Sequence, residues 1–213
     1  MDKSERLDTY LALLQNEFSP ELRKIEEAAR KNNVPIIRKQ AQYYMRLMCQ
    51  LVRPERILEI GTAVGFSGLL MLESDPEDAF LDTIESYAPR IIEAKKNFSG
   101  SPYKDRIRLF EGDAMEILPT LMGEYDLIFM DASKGQYVRM LPMIKKLMHS
   151  GSVLITDNIL QEGNLIESSF SIKRRDRTIH KRIREFLEII TSDDDMVTDT
   201  LSLGDGMTIA VRK

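Results

Sequence analysis

The sequence predicts an α/β protein: a mostly parallel sheet, covered by helices on both faces, that closes in an antiparallel C-terminal hairpin. Two observations carry this expectation. From residue 56 onward, short apolar runs alternate with amphipathic stretches, the pattern of repeated strand–helix units. Near the C-terminus that alternation stops, and two strand-like runs flank Gly204-Asp205-Gly206, with Asp-Gly at the turn.

The first fifty residues read as helices. Leu7, Tyr10, Leu11, Leu14 and Phe18 recur at helical spacing, and Ser19-Pro20 breaks the run and opens a second helix. A third stretch, about Lys39 to Leu51, ends ahead of Pro54. Strands are expected over Arg56–Ile60, Phe80–Glu85, Ile107–Glu111, Tyr125–Met130 and Ser152–Thr156, each rich in Ile, Leu, Phe or Val. Helices separate them near Gly65–Glu73, Pro89–Asn97, Ala114–Leu121 and Val138–Met148. Met196–Leu203 and Met207–Arg212 make the hairpin and bring the strands to seven. Right-handed crossovers would line up the parallel strands' C-terminal ends on one edge, where open α/β sheets bind ligands. One domain is expected over residues 1–213, with a helical extension at 1–52 and the sheet core at 53–213.

Composition narrows the class. With 213 residues, 43% hydrophobic and 30% charged, the chain can bury a sizeable core and looks like an ordinary globular protein. No apolar run approaches the length of a membrane span, and the charged start Met1–Arg6 gives no reason to expect a secretory signal. The single cysteine, Cys49, excludes an internal disulfide and a multi-thiolate metal site; among Met45, Leu47, Met48 and Leu51 it reads as a small buried hydrophobe. Cytoplasmic residence is the expectation. A net charge of -4 argues against polyanion binding by bulk charge, yet seven of the twelve residues from Lys173 to Arg184 are Lys or Arg. That stretch fits a phosphate-binding patch and equally a solvated helix face paired with Glu185, Glu188 and the acids 193–195.

The chemistry-bearing residues follow the strand ends. Glu59-Ile60-Gly61-Thr62-Ala63-Val64-Gly65-Phe66-Ser67 joins the first sheet strand to a helix. Glycines there let the backbone approach a ligand and aim helix N-terminal N–H groups at it. Ala63 breaks the dinucleotide pattern Gly-x-Gly-x-x-Gly, and the turn alone also fits a tight connection without a ligand. Glu85 ends the second strand, where a carboxylate can accept from both hydroxyls of a ribose, or where it simply meets solvent. Glu111-Gly112-Asp113-Ala114 offers a polar turn able to frame an adenine. Asp131 and the pair Asp157-Asn158 end the fourth and fifth strands, an all-oxygen set that suits a hard cation such as Mg²⁺. Neighbours along a strand face opposite sides, so two ligands at 157 and 158 require an irregular backbone. A helix cap at Asp157 with a turn at Asn158 is the bland alternative. His149 and His180 read as structural or surface residues. The order, glycine turn first and oxygen ligands later, points to metal-assisted group transfer.

Together, Glu59-Ile60-Gly61 with Gly65-x-Ser67, Ile84-Glu85, Gly112-Asp113-Ala114, Phe129-Met130-Asp131-Ala132-Ser133-Lys134, Ile155-Thr156-Asp157-Asn158 and Gly204-Asp205-Gly206 resemble the S-adenosylmethionine (SAM)-dependent methyltransferases. They are similar, more closely, to the cation-dependent O-methyltransferases that include the catechol and caffeoyl-CoA enzymes, over about Val34 to Lys213. The resemblance implies a class I, Rossmann-like methyltransferase fold. It places Glu59 and Gly61 in the cofactor turn, Ser67 near the methionine carboxylate of SAM, Glu85 on the ribose, Asp113 and Ala114 at the adenine, and Ile37 over the cofactor. Asp131 would touch both SAM and the metal; Asp131, Asp157 and Asn158 would hold Mg²⁺, or another divalent cation such as Mn²⁺. Lys134 would act as general base or as an electrostatic partner of the oxyanion. Ala63 departs from the family, where many members have glycine.

The Ala132–Tyr137 stretch and the basic segment look like the bacterial tRNA 5-hydroxyuridine methyltransferase branch. That likeness implies conversion of 5-hydroxyuridine to 5-methoxyuridine at the wobble position of a tRNA anticodon loop. Lys173, Arg174, Arg175, Arg177, Lys181 and Arg182 would then meet RNA phosphates. Related enzymes are commonly dimers, so a homodimer is expected, with Leu7, Leu11, Leu14 and Phe18 of the N-terminal helices packed on the sheet domain or on a second subunit; the short apolar runs give no reason to expect membrane association. A small-molecule catechol-type enzyme and a non-catalytic SAM- or RNA-binding module are the alternatives. A nicotinamide dehydrogenase is disfavoured by Ala63 and leaves Asp157-Asn158 without a role.

Overall fold

The computed structural model describes residues 3–75, 77–160, 165–167 and 172–213. Three helices, α1 (Lys3–Leu13), α2 (Pro20–Lys31) and α3 (Lys39–Val52), precede the sheet. Then β1 (Arg56–Ile60), α4 (Phe66–Ser74), β2 (Phe80–Glu85), α5 (Ala88–Ser99), β3 (Ile107–Glu111), α6 (Ala114–Ile117), β4 (Tyr125–Met130), α7 (Tyr137–Lys146) and β5 (Met148–Thr156) alternate. Helix α8 (Arg177–Thr191) leads to β6 (Met196–Leu201) and β7 (Met207–Arg212).

The seven strands lie in the order β3-β2-β1-β4-β5-β7-β6. The pairs among β1 to β5 are parallel, and β7 runs antiparallel between β5 and β6. The winding reverses between β1 and β4, so the connections after these two strands part and leave a crevice at their C-terminal ends. Burial explains the strand composition: in β1 every residue after Arg56 is buried, as expected for a strand covered on both faces. One layer packs Leu22, Met45, Phe66, Leu70 and Phe98 against Leu127 and Ile155. The other packs Tyr137, Leu141, Ile144, Phe186 and Ile190 against Ile60, Ile128 and Leu154.

Element boundaries depart from the sequence expectations where local chemistry intervenes. The helix expected over Ala114–Leu121 ends at Ile117 and continues as a 3₁₀ turn over Leu118–Thr120, because Pro119 removes a helical donor. Met148, expected to end a helix, begins β5 instead, with a register irregularity opposite Tyr125 and Leu127. The hairpin is looser than a two-residue turn, since β6 stops at Leu201 and Gly204 and Gly206 both hold positive φ, 63° and 85°. The apolar spacing at the N-terminus does not mark one buried face. Leu7, Tyr10, Leu11 and Leu14 are 46–62% exposed, and Phe18, beyond the end of α1, is buried. Cys49 is fully buried, as its neighbourhood implied, although Leu47 and Leu51 on the same helix face solvent.

Candidate active site

The crevice between the ends of β1 and β4 is lined by Gly61, Glu85, Gly112, Ala114, Asp131 and Ser133. Gly61 has φ 105°, and a Cβ there would sit 2.9 Å from the Asp131 carbonyl carbon, so β1 and β4 meet with no room for a side chain. Two residues on, Ala63 also holds positive φ, 45°. A left-handed backbone suits glycine, the residue that the resemblance leads one to expect at this position.

Glu85 joins the turn to the next strand. Its carboxylate accepts from the Ala63 amide at 2.8 Å and from the Ser86 and Tyr87 amides at 2.9 Å each, while its side chain lines the crevice. Asp113 caps α6, accepting from the Met115 amide at 2.8 Å, and is exposed; Ala114 lines the crevice beside it.

Glu59 departs from the expectation. It lies beneath the crevice rather than on it, with no exposed surface. Its carboxylate accepts from the Ser67 hydroxyl and, at 2.6 Å, from Thr83 Oγ1, which also meets Thr62 Oγ1 at 2.6 Å. Burial pushes Glu59 up to about 7, against the pull of the two hydroxyls. Glu59 therefore orients Ser67 and the turn from below. Thr62 and Thr83 were missed in the sequence; a polar residue inside the apolar run Phe80–Glu85 was the available signal.

At the other side of the crevice three polar groups converge. Asn158 Nδ2 donates to Asp131 Oδ1 at 3.2 Å and approaches Asp157 Oδ2 at 3.5 Å. The irregular backbone that adjacent ligands demanded is present: Asn158 has φ 59°, a left-handed conformation that asparagine tolerates. Asp157 is 2% exposed, and burial first, then the neighbouring Asp131 charge, pushes it up to about 7. Burial raises Asp131 as well, opposed by the Asn158 hydrogen bond and by the Lys134 charge. Lys134 sits in the 3₁₀ turn Lys134–Gln136 directly after β4 and lowers both carboxylates through its charge.

Two further elements stand beside this cluster. The fully buried Tyr137 lies close enough for both carboxylates to raise its phenol, after burial itself. The β6–β7 turn grips the loop beyond Asn158, with Ile159 donating to the Gly206 carbonyl at 3.1 Å and Leu160 to that of Asp205 at 2.8 Å.

This set fits a hard dication. Two buried carboxylates repel each other without a neutralising partner, and rotating the Asn158 amide puts its oxygen where its nitrogen now lies. Among the described residues no group of three or more His, Cys, Asp and Glu could hold a metal; here Asp131 and Asp157 supply two carboxylates, and the Asn158 amide oxygen is the third donor that could join them.

The basic stretch resolves into two parts. Lys173, Arg174 and Arg175 precede α8 and are exposed; Arg177 opens the helix, its Nε donating to the Ile172 carbonyl at 3.0 Å. Lys181 is exposed and Arg182, half-buried, reaches Glu185 at 3.5 Å. Asp193 and Asp195, expected to balance this charge, are instead held by Lys145 of α7 at 2.6 and 3.0 Å. His180 is buried, and His149 ties Ser150 and Asp126 together at the far edge of the sheet.

The comparisons with known proteins agree with the fold. The O-methyltransferase family model matches residues 11–213. A catechol O-methyltransferase of Niastella koreensis is 28% identical over 130 residues, 59% of this chain and 59% of that protein, so the match spans less than two thirds of its length. The SAH-bound methyltransferase PaMTH1 of Podospora anserina superposes with a TM-score of 0.89 at 25% identity, covering 99% of this chain and 95% of that one. The O-methyltransferase TomG of Streptomyces achromogenes, in complex with SAM, gives 0.86 at 25% identity, with both chains covered in full (100%). With nearly its whole length accounted for, the chain belongs to the O-methyltransferase family.

Proposed function

We propose that this protein is a SAM- and divalent-cation-dependent O-methyltransferase whose substrate is 5-hydroxyuridine at the wobble position of a tRNA anticodon loop. The observation that carries the reading is the convergence of Asp131, Asp157 and Asn158 beside a glycine-lined crevice. In this reading Asp131, Asp157 and Asn158 hold Mg²⁺ or Mn²⁺. Gly61, Glu85, Asp113, Ala114 and Asp131 surround SAM, with Ser67 near its methionine carboxylate and Ile37 closing over the cofactor.

SAM supplies an activated methyl group, and the dication favours the ionised form of a hydroxyl whose free pKa is about 10. The chain's own residues supply placement. Gly61 and Asp131 set the gap between the cofactor and metal sides, Glu59 holds Ser67 in position, and the β6–β7 turn holds Ile159 and Leu160, the two residues that follow Asp157-Asn158. Lys134, standing where both carboxylates feel its charge, steadies the ionised hydroxyl; only its neutral form could instead take up the hydroxyl proton.

The basic segment supports the RNA substrate. Lys173, Arg174, Arg175, Arg177 and Lys181 are exposed, and Asp193 and Asp195 are bound to Lys145, while Asp176 and Glu185 stand 3.5 Å from Arg175 and Arg182. A 5-hydroxyuridine offers an acidic hydroxyl beside a carbonyl, a chelating pair like that of a catechol, and an anticodon-loop base can be splayed into a pocket. A small-molecule catechol-type substrate is the second reading, favoured by the name of the Niastella relative. Nucleoside mass spectrometry decides between them. Hydroxyuridine-bearing tRNA incubated with protein, SAM and Mg²⁺ should lose its 5-hydroxyuridine peak and gain 5-methoxyuridine, and a chelator should abolish the change. An unchanged tRNA alongside methylation of a free catechol overturns the RNA substrate.

The exposed apolar residues of α1, with Leu47 and Leu51 of α3, fit a contact with a second copy of the chain. Light scattering during gel filtration tests this, and a monomer at micromolar concentration rejects it.

A further inference from the structure

Away from the metal side, a buried charged cluster joins α2, α3 and the segment between them. Glu26 is 5% exposed; its Oε1 accepts from Arg30 Nη2 at 2.8 Å and from Gln42 Nε2 at 3.0 Å, and its Oε2 accepts from Lys39 Nζ at 2.6 Å. Gln42 has no exposed surface, and the same Nε2 donates to the Ile37 carbonyl at 3.0 Å. Two acceptors on one nitrogen fix the amide, since the flipped orientation would press oxygen against two oxygens. The consequence is a buried Gln42 Oε1 with no donor among the described residues. An apolar side chain would pack α2 on α3 without that penalty. The amide ties the Ile37 carbonyl to Glu26, which an apolar side chain would not do.

That carbonyl belongs to a segment with few other restraints. Asn33 turns out of α2 with φ 52°, Val34 donates to the Ala29 carbonyl at 2.8 Å, and Pro35 has no N–H to give. No backbone amide among the described residues donates to the Ile37 carbonyl. The Ile37 side chain is 4% exposed, in the same core as Val64 and Phe66 at the end of the glycine turn. On its other flank, Arg38 and Ala41 stand against Gly204 of the β6–β7 turn, where an added Cβ would lie 3.5 and 3.9 Å from their Cβ atoms. The segment thus shares a core with the end of the glycine turn and lies against the β6–β7 turn, which holds Ile159 and Leu160 just after Asp157-Asn158.

We propose that Glu26 and Gln42 form a positioning clamp that sets the Val34–Arg38 segment over the crevice and thereby governs cofactor affinity rather than the chemical step. The inference rests on the proposed placement of Ile37 over SAM. Loosening the clamp leaves the catalytic groups in place but obliges the cofactor to order the segment on binding, which weakens binding and raises KM with kcat preserved.

The test uses Gln42→Leu, which keeps the volume and removes the amide, and Glu26→Gln, which keeps Gln42 and weakens its anchor. Binding of S-adenosylhomocysteine is measured by calorimetry, and hydrogen exchange is followed across residues 33–38. Gln42→Leu should weaken binding roughly tenfold, the net worth of one hydrogen bond, and speed exchange in that segment more than in α4 or β1. Catalysis at saturating SAM should stay within about twofold of wild type. Should Gln42→Leu fail to fold, Glu26→Gln carries the same expectation in weaker form. Affinity within about twofold of wild type in the folded variants, whatever happens to melting temperature, overturns the clamp alone. A wild-type protein that does not bind S-adenosylhomocysteine overturns the methyltransferase reading, and the clamp with it.

Discussion

The side-chain amide of Asn158 reaches across the sheet edge to Asp131, donating to its Oδ1 at 3.2 Å, with Asp157 Oδ2 3.5 Å from the same nitrogen. The bond tethers two carboxylates that burial and mutual repulsion destabilise in their charged forms. The fold tolerates this strain at a place where a dication would relieve it. Asp157→Asn should therefore raise the melting temperature of the metal-free protein at pH 8 while removing the thermal shift produced by Mg²⁺. Methyl transfer should fall by roughly a hundredfold or more, since an electrostatic stabiliser at the reacting oxygen is lost. A thermal shift by Mg²⁺ that survives the substitution rejects Asp157 as a ligand.

The same pair gives cation binding a pH dependence with a definite sign. A ligand carboxylate must be ionised, and Asp157 is raised to about 7, so protons compete with the metal. Mg²⁺ affinity, read by calorimetry, should climb from pH 6 to pH 8 and level off above. Flat affinity over that range would show that no raised carboxylate takes part.

Gly61 and Asp131 set the next expectation. With φ 105° and no room for a Cβ beside the Asp131 carbonyl, Gly61→Ala must both strain its own backbone and displace the end of β4. A destabilisation on the order of 2 kcal/mol or more is expected in chemical denaturation, with a larger proportional loss of cofactor affinity. A variant as stable as wild type and binding cofactor equally well would mean that β1 and β4 separate easily here.

How far the sequence reached is seen by comparing particular residues. The alternation after residue 56 and the Asp-Gly turn foretold the sheet and its hairpin, because burial on both faces leaves long apolar runs and a reversed chain needs positive φ. That Asp131 and Asp157-Asn158 would come together was legible because they follow the ends of two strands that pair in parallel; their burial was not. Glu59 was misplaced by position alone: a residue can belong to the cofactor turn yet point down between β2 and α4, and only the partners Ser67 and Thr83 disclose it. The Lys145 contacts that remove Asp193 and Asp195 from the basic segment join residues 48 and 50 positions apart, which charge patterning along the chain does not register. The exposure of α1 was likewise hidden, since helical spacing reports a face and not what covers it.

Glu59 itself couples stability to pH. Its folded value, about 7, lies above the 4.5 of an ordinary glutamate, so the folded state holds the proton more tightly than the unfolded one. The associated stability is fully present below about pH 4.5 and is lost as pH rises through about 7. Glu59→Gln, which carries no titrating proton, should flatten the decline in melting temperature between pH 6 and pH 8. A decline of equal slope in both proteins would assign it to other groups.

The last expectation concerns the basic segment, and it separates the two substrate readings by electrostatics. Lys173, Arg174 and Arg175 are exposed and lie outside the crevice, so replacing all three by Glu should leave the cofactor and metal sides untouched. If these residues meet RNA phosphates, each pairing releases counterions, and the slope of log affinity against log salt should shrink by roughly 0.7 for every phosphate that is no longer neutralised. The triple variant should therefore bind tRNA more weakly at low salt, with a flatter salt dependence and a lower rate on tRNA. Its rate on a free catechol should stay within about twofold of wild type, because a small neutral substrate has no phosphates to pair. Equal tRNA affinity and an unchanged salt slope would return the segment to the status of a solvated approach to α8. The RNA substrate would then have to be carried by another surface.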